Sequence, residues 1–324
     1  MQEFIDPVSP LSFVRPRPGD PRLGEWAEPC SGELQKTGKR HTVGIWGCPD
    51  DLGVTLNRGR AGAKEGPSAI RKFLYTMTPP MEGKWESTLR LVDLGTLIPS
   101  TQILETHERC SNLTAHFGGM PLSLIALGGG HDFAAPCFSG FVRGRGLPRA
   151  KVALINVDPH LDVRPLENGQ PHSGTPFRQI LEAGTLDPAR LVQFGTRMNR
   201  NHREGYVYCK GQGVRIESLD KIRMSRQTPQ NLFKTRLAGL ARTAGIVGVT
   251  IDMDCCQDTD GVSAPTCLGF SAWELCSFAF IAGQNPKVAY LEIAEVAPGL
   301  ESFGRAARIA SEIVFYFLLG RAGN

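Results

Sequence analysis

Apolar residues along the chain fall into two rhythms. Short β-branched or leucine-rich runs begin near Thr42, Leu89, Leu122, Lys151, Leu191, Val214, Ile246 and Lys287. Their length and composition predict eight strands, buried on both faces. Between most of them lie stretches with helical apolar spacing, at residues 68–77, 103–117, 133–141, 228–243, 272–282 and 304–319. Strands alternating with helices predict a mostly parallel sheet covered on both sides. The expected architecture is therefore α/β, a three-layer α/β/α sandwich around an eight-stranded sheet.

Residues 1–40 break both rhythms. They hold six prolines, with Phe13 and Trp26 as isolated apolar anchors. Such a segment predicts an extended arm lying over a neighbouring subunit or over the chain's own single large domain, which spans residues 41–324.

Composition narrows the function classes. A hydrophobic fraction of 41% and a charged fraction of 21% are ordinary for a globular chain of 324 residues. A net charge of +4, with no basic run interleaved with aromatics, argues against a nucleic-acid partner. Nine scattered cysteines, without a Cys-x-x-Cys pair, do not make a disulfide framework. The first thirteen residues lack the apolar core of a secretory signal. The longest apolar stretch, 313–319, is far too short to span a membrane. The reading is a cytoplasmic protein with no membrane partner.

Candidate chemistry sits directly after three of the predicted strands. Gly128-Gly129-Gly130-His131 follows one, Asp158-Pro159-His160-Leu161-Asp162 another, and Asp252-Met253-Asp254 a third. Alternate residues of extended chain point the same way, so each aspartate motif aims its side chains into one volume if strand geometry persists. Four ionised carboxylates cannot sit close together without cations. An oxygen-rich set with two imidazoles suits hard or borderline divalent ions such as Mn²⁺, and six ligands suffice for two ions that share carboxylates. The glycine run lacks the spacing of a dinucleotide loop and reads as a tight turn, with Asp132 as its helix cap.

Further candidates surround these motifs. His172, in a Gly- and Pro-rich stretch at 167–176, is placed to relay protons beside such a centre. Glu295, past the end of the last strand, could hold a cationic substrate group. Arg164, Arg178, Arg197 and Arg200 crowd two predicted loops at the same edge, which points to a substrate whose far end is anionic. Cys255 and Cys256 read as small hydrophobes packed behind the site.

These blocks resemble the three metal-binding signatures of the arginase/ureohydrolase family. Gly66-Pro67-Ser68-Ala69-Ile70-Arg71 and Glu295-Val296-Ala297-Pro298 are similar to further family landmarks, in the same order. Within it the chain is most similar to the formimidoylglutamase branch, through the stretches 162–166, 172–177 and 261–265. Cys255-Cys256-Gln257-Asp258 and the segment 196–213 depart from the family pattern. The resemblance implies an arginase-like fold, two Mn²⁺ per subunit (other divalent ions being possible) and a homo-oligomer, trimeric or hexameric. It also implies that His131 and Asp162 bind one ion, His160 and Asp254 the other, and that Asp158 and Asp252 bridge them. His172 then matches the proton shuttle, and Glu295 the carboxylate that holds a guanidinium or amidine.

The expected activity is hydrolysis of N-formimidoyl-L-glutamate to L-glutamate and formamide, a step of histidine degradation, by hydroxide held between the ions. The physical ground for this substrate is charge layout: its amidine suits Glu295, and its two carboxylates suit the arginines. Arginine or agmatine would bring an amine to a basic rim. An arginase, agmatinase or other guanidino-acid ureohydrolase is the alternative within the family. A metal-free binding or regulatory protein is the alternative outside it.

Overall fold

The computed structural model describes residues 2–30, 32, 34, 40–83 and 85–323. Among these, ten strands form one sheet. They are β1 (Ile5–Asp6), β2 (Glu28–Pro29), β3 (His41–Cys48), β4 (Leu89–Leu97) and β5 (Ser123–Gly128), followed by β6 (Val152–Val157), β7 (Leu191–Thr196), β8 (Arg215–Ser218), β9 (Ile246–Asp252) and β10 (Val288–Ala294). The eight strands expected from the sequence are β3 to β10. The two additional ones are short pieces of the proline-rich segment. Prolines cannot donate to a ladder and are confined to its edge, and both pieces pair only with β4.

The order across the sheet is β1-β4-β3-β5-β10-β9-β6-β7-β8, and all pairings except β1 with β4 are parallel. The last strand of the chain thus lies at the centre, between β5 and β9. The register is fixed there: Ile293 pairs with Leu127 and Ile251, and Val157 with Ile251. The carboxyl ends of β5, β10, β9 and β6 are therefore level and adjacent.

Both faces of the sheet are apolar because alternate residues of each strand feed different cores. Ile125, Leu127, Ile155, Val249, Ile251 and Ile293 pack under the helices Gly66–Leu74, Ala272–Gly283 and Arg305–Ala322. Leu124, Ala126, Leu154, Val92 and Tyr290 pack on the opposite side under Ile103–Gly119 and Ala134–Arg145. Burying each such aliphatic side chain contributes roughly 1.5–3 kcal/mol. The last two helices approach so closely that a Cβ on Gly144 would stand 1.9 Å from the Ala115 carbonyl oxygen. One buried ion pair locks the β4 edge: Arg71 reaches Asp93 at 2.8 and 2.9 Å, the Gly95 carbonyl at 2.8 Å and Thr96 Oγ1 at 3.0 Å.

Segment 196–213 is more ordered than an open loop. It holds a short turn at Met198–Arg200 and a helix at Arg203–Gln212. Another helix, Pro176–Glu182, takes up Arg178. No helix among the described residues is long and apolar enough to cross a membrane.

Candidate metal centre

Each of the four central strands delivers one piece of the site, but not by strand alternation. β6 stops at Val157 and β9 at Asp252. At each strand end an aspartate folds the chain back on itself: Asp158 Oδ1 accepts from the His160 amide at 2.6 Å, and Asp252 Oδ1 from the Asp254 amide at 2.8 Å. These side chain-to-backbone turns are what bring i and i+2 together. Asp162 then adopts a left-handed backbone, with φ 48°.

The six sequence candidates converge. His131 Nδ1 lies 3.2 Å from Asp158 Oδ2, 3.1 Å from Asp162 Oδ2 and 3.0 Å from Asp252 Oδ2. His160 Nδ1 is 3.4 Å from Asp158 Oδ1 and 3.9 Å from Asp254 Oδ2. Two sets have donor atoms all within 4.8 Å of one another: His131, Asp158, Asp162 and Asp252, and His160, Asp252 and Asp254. Asp252 belongs to both, and Asp158 contacts both histidines.

Electrostatics sets what this cluster can hold. Burial, then the charges of Asp254 and Asp158, push Asp252 well above the usual carboxylate range. Burial and Asp158 push Asp162 up to about 6. Burial opposes charge on His160, but its hydrogen bond to Asp158 and the surrounding aspartates hold it up at about 10. A buried excess of carboxylates over imidazoles is unfavourable by itself. Its oxygen-rich donor set, with one imidazole per group, fits a pair of hard or borderline divalent ions.

Glu295 stands at the end of β10, one residue past the pairing of Ala294 with Asp252. Its backbone is left-handed, φ 67°, and its Oε1 accepts the His131 amide at 2.7 Å. The other oxygen, Oε2, is buried with no hydrogen-bond partner among the described residues. Burial, with Asp252 and Asp254, pushes its carboxyl well up. Asp162, Glu295 and Arg58 (φ 63°) account for three of the five non-glycine residues with positive φ among the described residues. All three line one cleft of about 580 Å³, together with His160, Asp252 and Asp254. Backbone strain concentrated at a cleft is characteristic of a functional site.

The remaining candidates divide. Arg164 and Arg200 line the cleft; Arg178 and Arg197 do not. Arg178 is ion-paired to Glu182 at 2.8 Å and stacked over Tyr208, 4.6 Å from its ring centre. Arg197 is held by Thr266 Oγ1 at 3.2 Å and by the Leu268 carbonyl. His172 is buried, not solvated, and lines an adjoining recess with Arg164 and His202. Its Nδ1 accepts the Gly174 amide at 3.2 Å, which leaves the neutral ring's proton on Nε2. Burial and the Arg164 charge lower its pKa. Asp132 does not cap a helix; it pairs with His107 Nε2 at 2.7 Å. Cys255 and Cys256 are buried.

Several contributors carry weak sequence signals. Arg58 lines the cleft, and its side chain makes no hydrogen bond or ion pair among the described residues. Under Asp158 lies a buried polar chain. Asn156 Nδ2 donates to Asp158 Oδ2 at 3.1 Å and to Gln193 Oε1 at 2.8 Å, and its own oxygen accepts from Thr250 at 2.8 Å. Single polar residues inside three apolar runs were the only hint. Gly129 is fixed by close approach: a Cβ there would lie 1.9 Å from the Asp50 carbonyl oxygen.

Residues 41–320 match the sequence model of the Arginase family. The chain belongs to the arginase family. The formimidoylglutamase of Staphylococcus aureus (strain bovine RF122 / ET3-1) is 30% identical over 290 residues, 88% of each chain. Trypanosoma cruzi formiminoglutamase, solved with Mn2+2, is 31% identical with a TM-score of 0.80, covering 94% of this chain and 99% of that one. The Bacillus subtilis formimidoylglutamase structure shares the fold at 24% identity and a TM-score of 0.83, over 95% and 94% of the two chains. This arginase-family member thus has the family's fold and a cluster of donors at the carboxyl edge of its central strands.

Proposed function

We propose that this arginase-family chain is a manganese-dependent formimidoylglutamase, which hydrolyses N-formimidoyl-L-glutamate to L-glutamate and formamide. The observation that carries the reading is the charge layout of one cleft: buried carboxylates on its floor, and Arg58, Arg164 and Arg200 along its lining. The resemblance to enzymes of that name over most of both chains supports it.

His131, Asp158, Asp162 and Asp252 would hold one ion, and His160, Asp254, Asp252 and Asp158 the other. When bound, two Mn²⁺ supply a water of lowered pKa and a Lewis acid for the reacting centre. Glu295 receives the cationic amidine at its unpartnered Oε2. Its other oxygen, fixed by the His131 amide, holds the carboxylate in place without substrate. Arg58 and Arg164 receive the glutamate carboxylates, with Arg200 contributing beyond its 3.1 Å bond to the Pro265 carbonyl. His172, neutral at rest, would take up the proton that the attacking water sheds and, as imidazolium, pass one from Nε2 to the departing glutamate nitrogen, through water from the adjoining recess.

The test is a product assay with the manganese-loaded protein across amidines and guanidines. Formamide from formimidoylglutamate is expected. Urea from arginine or agmatine at the higher rate would replace this reading with a ureohydrolase.

A further inference from the structure

Three sulfurs meet inside the protein at a place the carboxylate centre does not use. Cys48 ends β3, Cys110 lies on the helix Ile103–Gly119, and Cys137 on the helix Ala134–Arg145. Their Sγ atoms are 3.3 Å (Cys110 to Cys137), 3.6 Å (Cys48 to Cys137) and 3.8 Å (Cys48 to Cys110) apart. All three are fully buried. We propose that Cys48, Cys110 and Cys137 form a second metal site, a three-sulfur site for copper(I).

The spacing suits one shared ion. Sulfurs bonded at about 2.3 Å to a common centre stand roughly 3.8–4.0 Å apart, from tetrahedral to planar geometry. The observed triangle reaches that with movements of less than an ångström. Softness then selects the ion: thiolates favour copper(I), zinc and iron–sulfur clusters, whereas carboxylates and imidazoles favour harder ions. Structural zinc takes four ligands. Among the described residues no fourth His, Cys, Asp or Glu donor joins this group, and three ligands suit copper(I).

Packing of small apolar thiols would leave one neighbour unexplained. The buried indole N–H of Trp46 meets no oxygen or nitrogen acceptor among the described residues and interacts with the Cys110 sulfur. A thiol is a weak acceptor for that N–H, and a thiolate at Cys110 would be a strong one. Glu292, buried in β10, acts electrostatically on Cys48, which limits the negative charge the site can bear. Copper(I) bound by two thiolates and one thiol releases two protons and leaves a single negative charge facing the Trp46 N–H. All three sulfurs are fully buried, so the ion enters while the chain folds and then exchanges slowly.

The experiment uses the full chain made in cells supplied with manganese and copper, purified without oxygen and passed over a copper(I) chelator. Elemental analysis is expected to find one copper per chain, and X-ray absorption three sulfur neighbours at about 2.3 Å. Copper should be lost in Cys48→Ala and in Cys137→Ala, and kept in Cys209→Ser and Cys267→Ser. If Cys137→Ala fails to fold, Cys48→Ala at the strand end gives the same reading. Any of four results overturns the proposal: no copper in the unsubstituted chain, copper kept without Cys48, zinc held with a nitrogen or oxygen ligand, or a Cys110–Cys137 disulfide in a copper-free chain. Formamide release is measured beside it, and its failure would bear on the carboxylate centre alone.

Discussion

Replacing Arg58 by glycine should move stability and activity in opposite directions. Arg58 sits at φ 63° with an exposed side chain that makes no hydrogen bond or ion pair among the described residues. A side chain in the left-handed region costs roughly 1–2 kcal/mol, which glycine removes. Glycine also loosens the unfolded chain, which offsets roughly 0.4–1 kcal/mol of that gain. The net expectation is a folded state from unchanged to about 1.5 kcal/mol more stable. If Arg58 receives a substrate carboxylate, its loss removes a charge-assisted hydrogen bond of about 1.5–3 kcal/mol. At about 1.4 kcal/mol per decade, kcat/KM for formimidoylglutamate should fall roughly 10- to 150-fold. The open cleft favours the lower end of that range. Urea denaturation of the manganese-loaded protein and initial rates of formamide release measure the two quantities. A variant whose kcat/KM stays within twofold of the parent would refute a carboxylate-binding role for Arg58. One that is clearly destabilised would refute the strain argument.

Other expectations are more direct. Gly129→Ala forces a Cβ against the Asp50 carbonyl, a backbone contact no rotamer relieves, and should cost about 1–3 kcal/mol with reduced Mn²⁺ stoichiometry by calorimetry. Asp93→Ala leaves the buried Arg71 charge unpaired and should destabilise by roughly 3–5 kcal/mol in urea titrations, with formamide kinetics of the folded fraction unchanged. The metal-free chain should lose stability as pH rises. Asp162 at about 6 and His160 at about 10 both bind protons more tightly than in the unfolded chain, so the folded state releases protons last on either titration. Thermal melts of chelated protein should therefore fall from about pH 4 to 6 as Asp162 loses its proton and from about pH 6.5 to 10 as His160 does, while Mn²⁺ affinity rises over the same ranges as the ligands deprotonate. A metal-free chain more stable at the alkaline end would contradict those shifts.

The elements that could be read from the sequence were those whose residues agree with one another locally. β3 to β10 each begin within a residue or so of the expected start, because buried parallel strands are continuous apolar runs. The helix Arg203–Gln212 was missed because it buries only Gly205 and Cys209 and so shows no apolar stripe. The six clustered side chains were legible because carboxylates directly after buried strands need a reason to be there. The device that gathers them was not legible: Asp158 and Asp252 act through turns, not through strand alternation. Arg178 and Arg197 were misplaced because the partners that hold them, Glu182, Tyr208, Thr266 and Leu268, follow from loop paths that composition does not encode. His107 and Asn156 carry no local sequence signal, because only folding supplies Asp132 and Asp158 as their partners.

The central position of β10 has a consequence for biosynthesis. A ribosome delivers Val288–Ala294 last, yet that strand separates β5 from β9. Until it arrives, the nascent chain holds two half-sheets with open, apolar edges, the kind of surface that invites pairing between molecules. The carboxylate at 295 arrives with it, so neither the completed sheet nor the finished cleft exists before residue 295 has been made. Truncation before Val288 should therefore yield aggregates instead of a shortened enzyme.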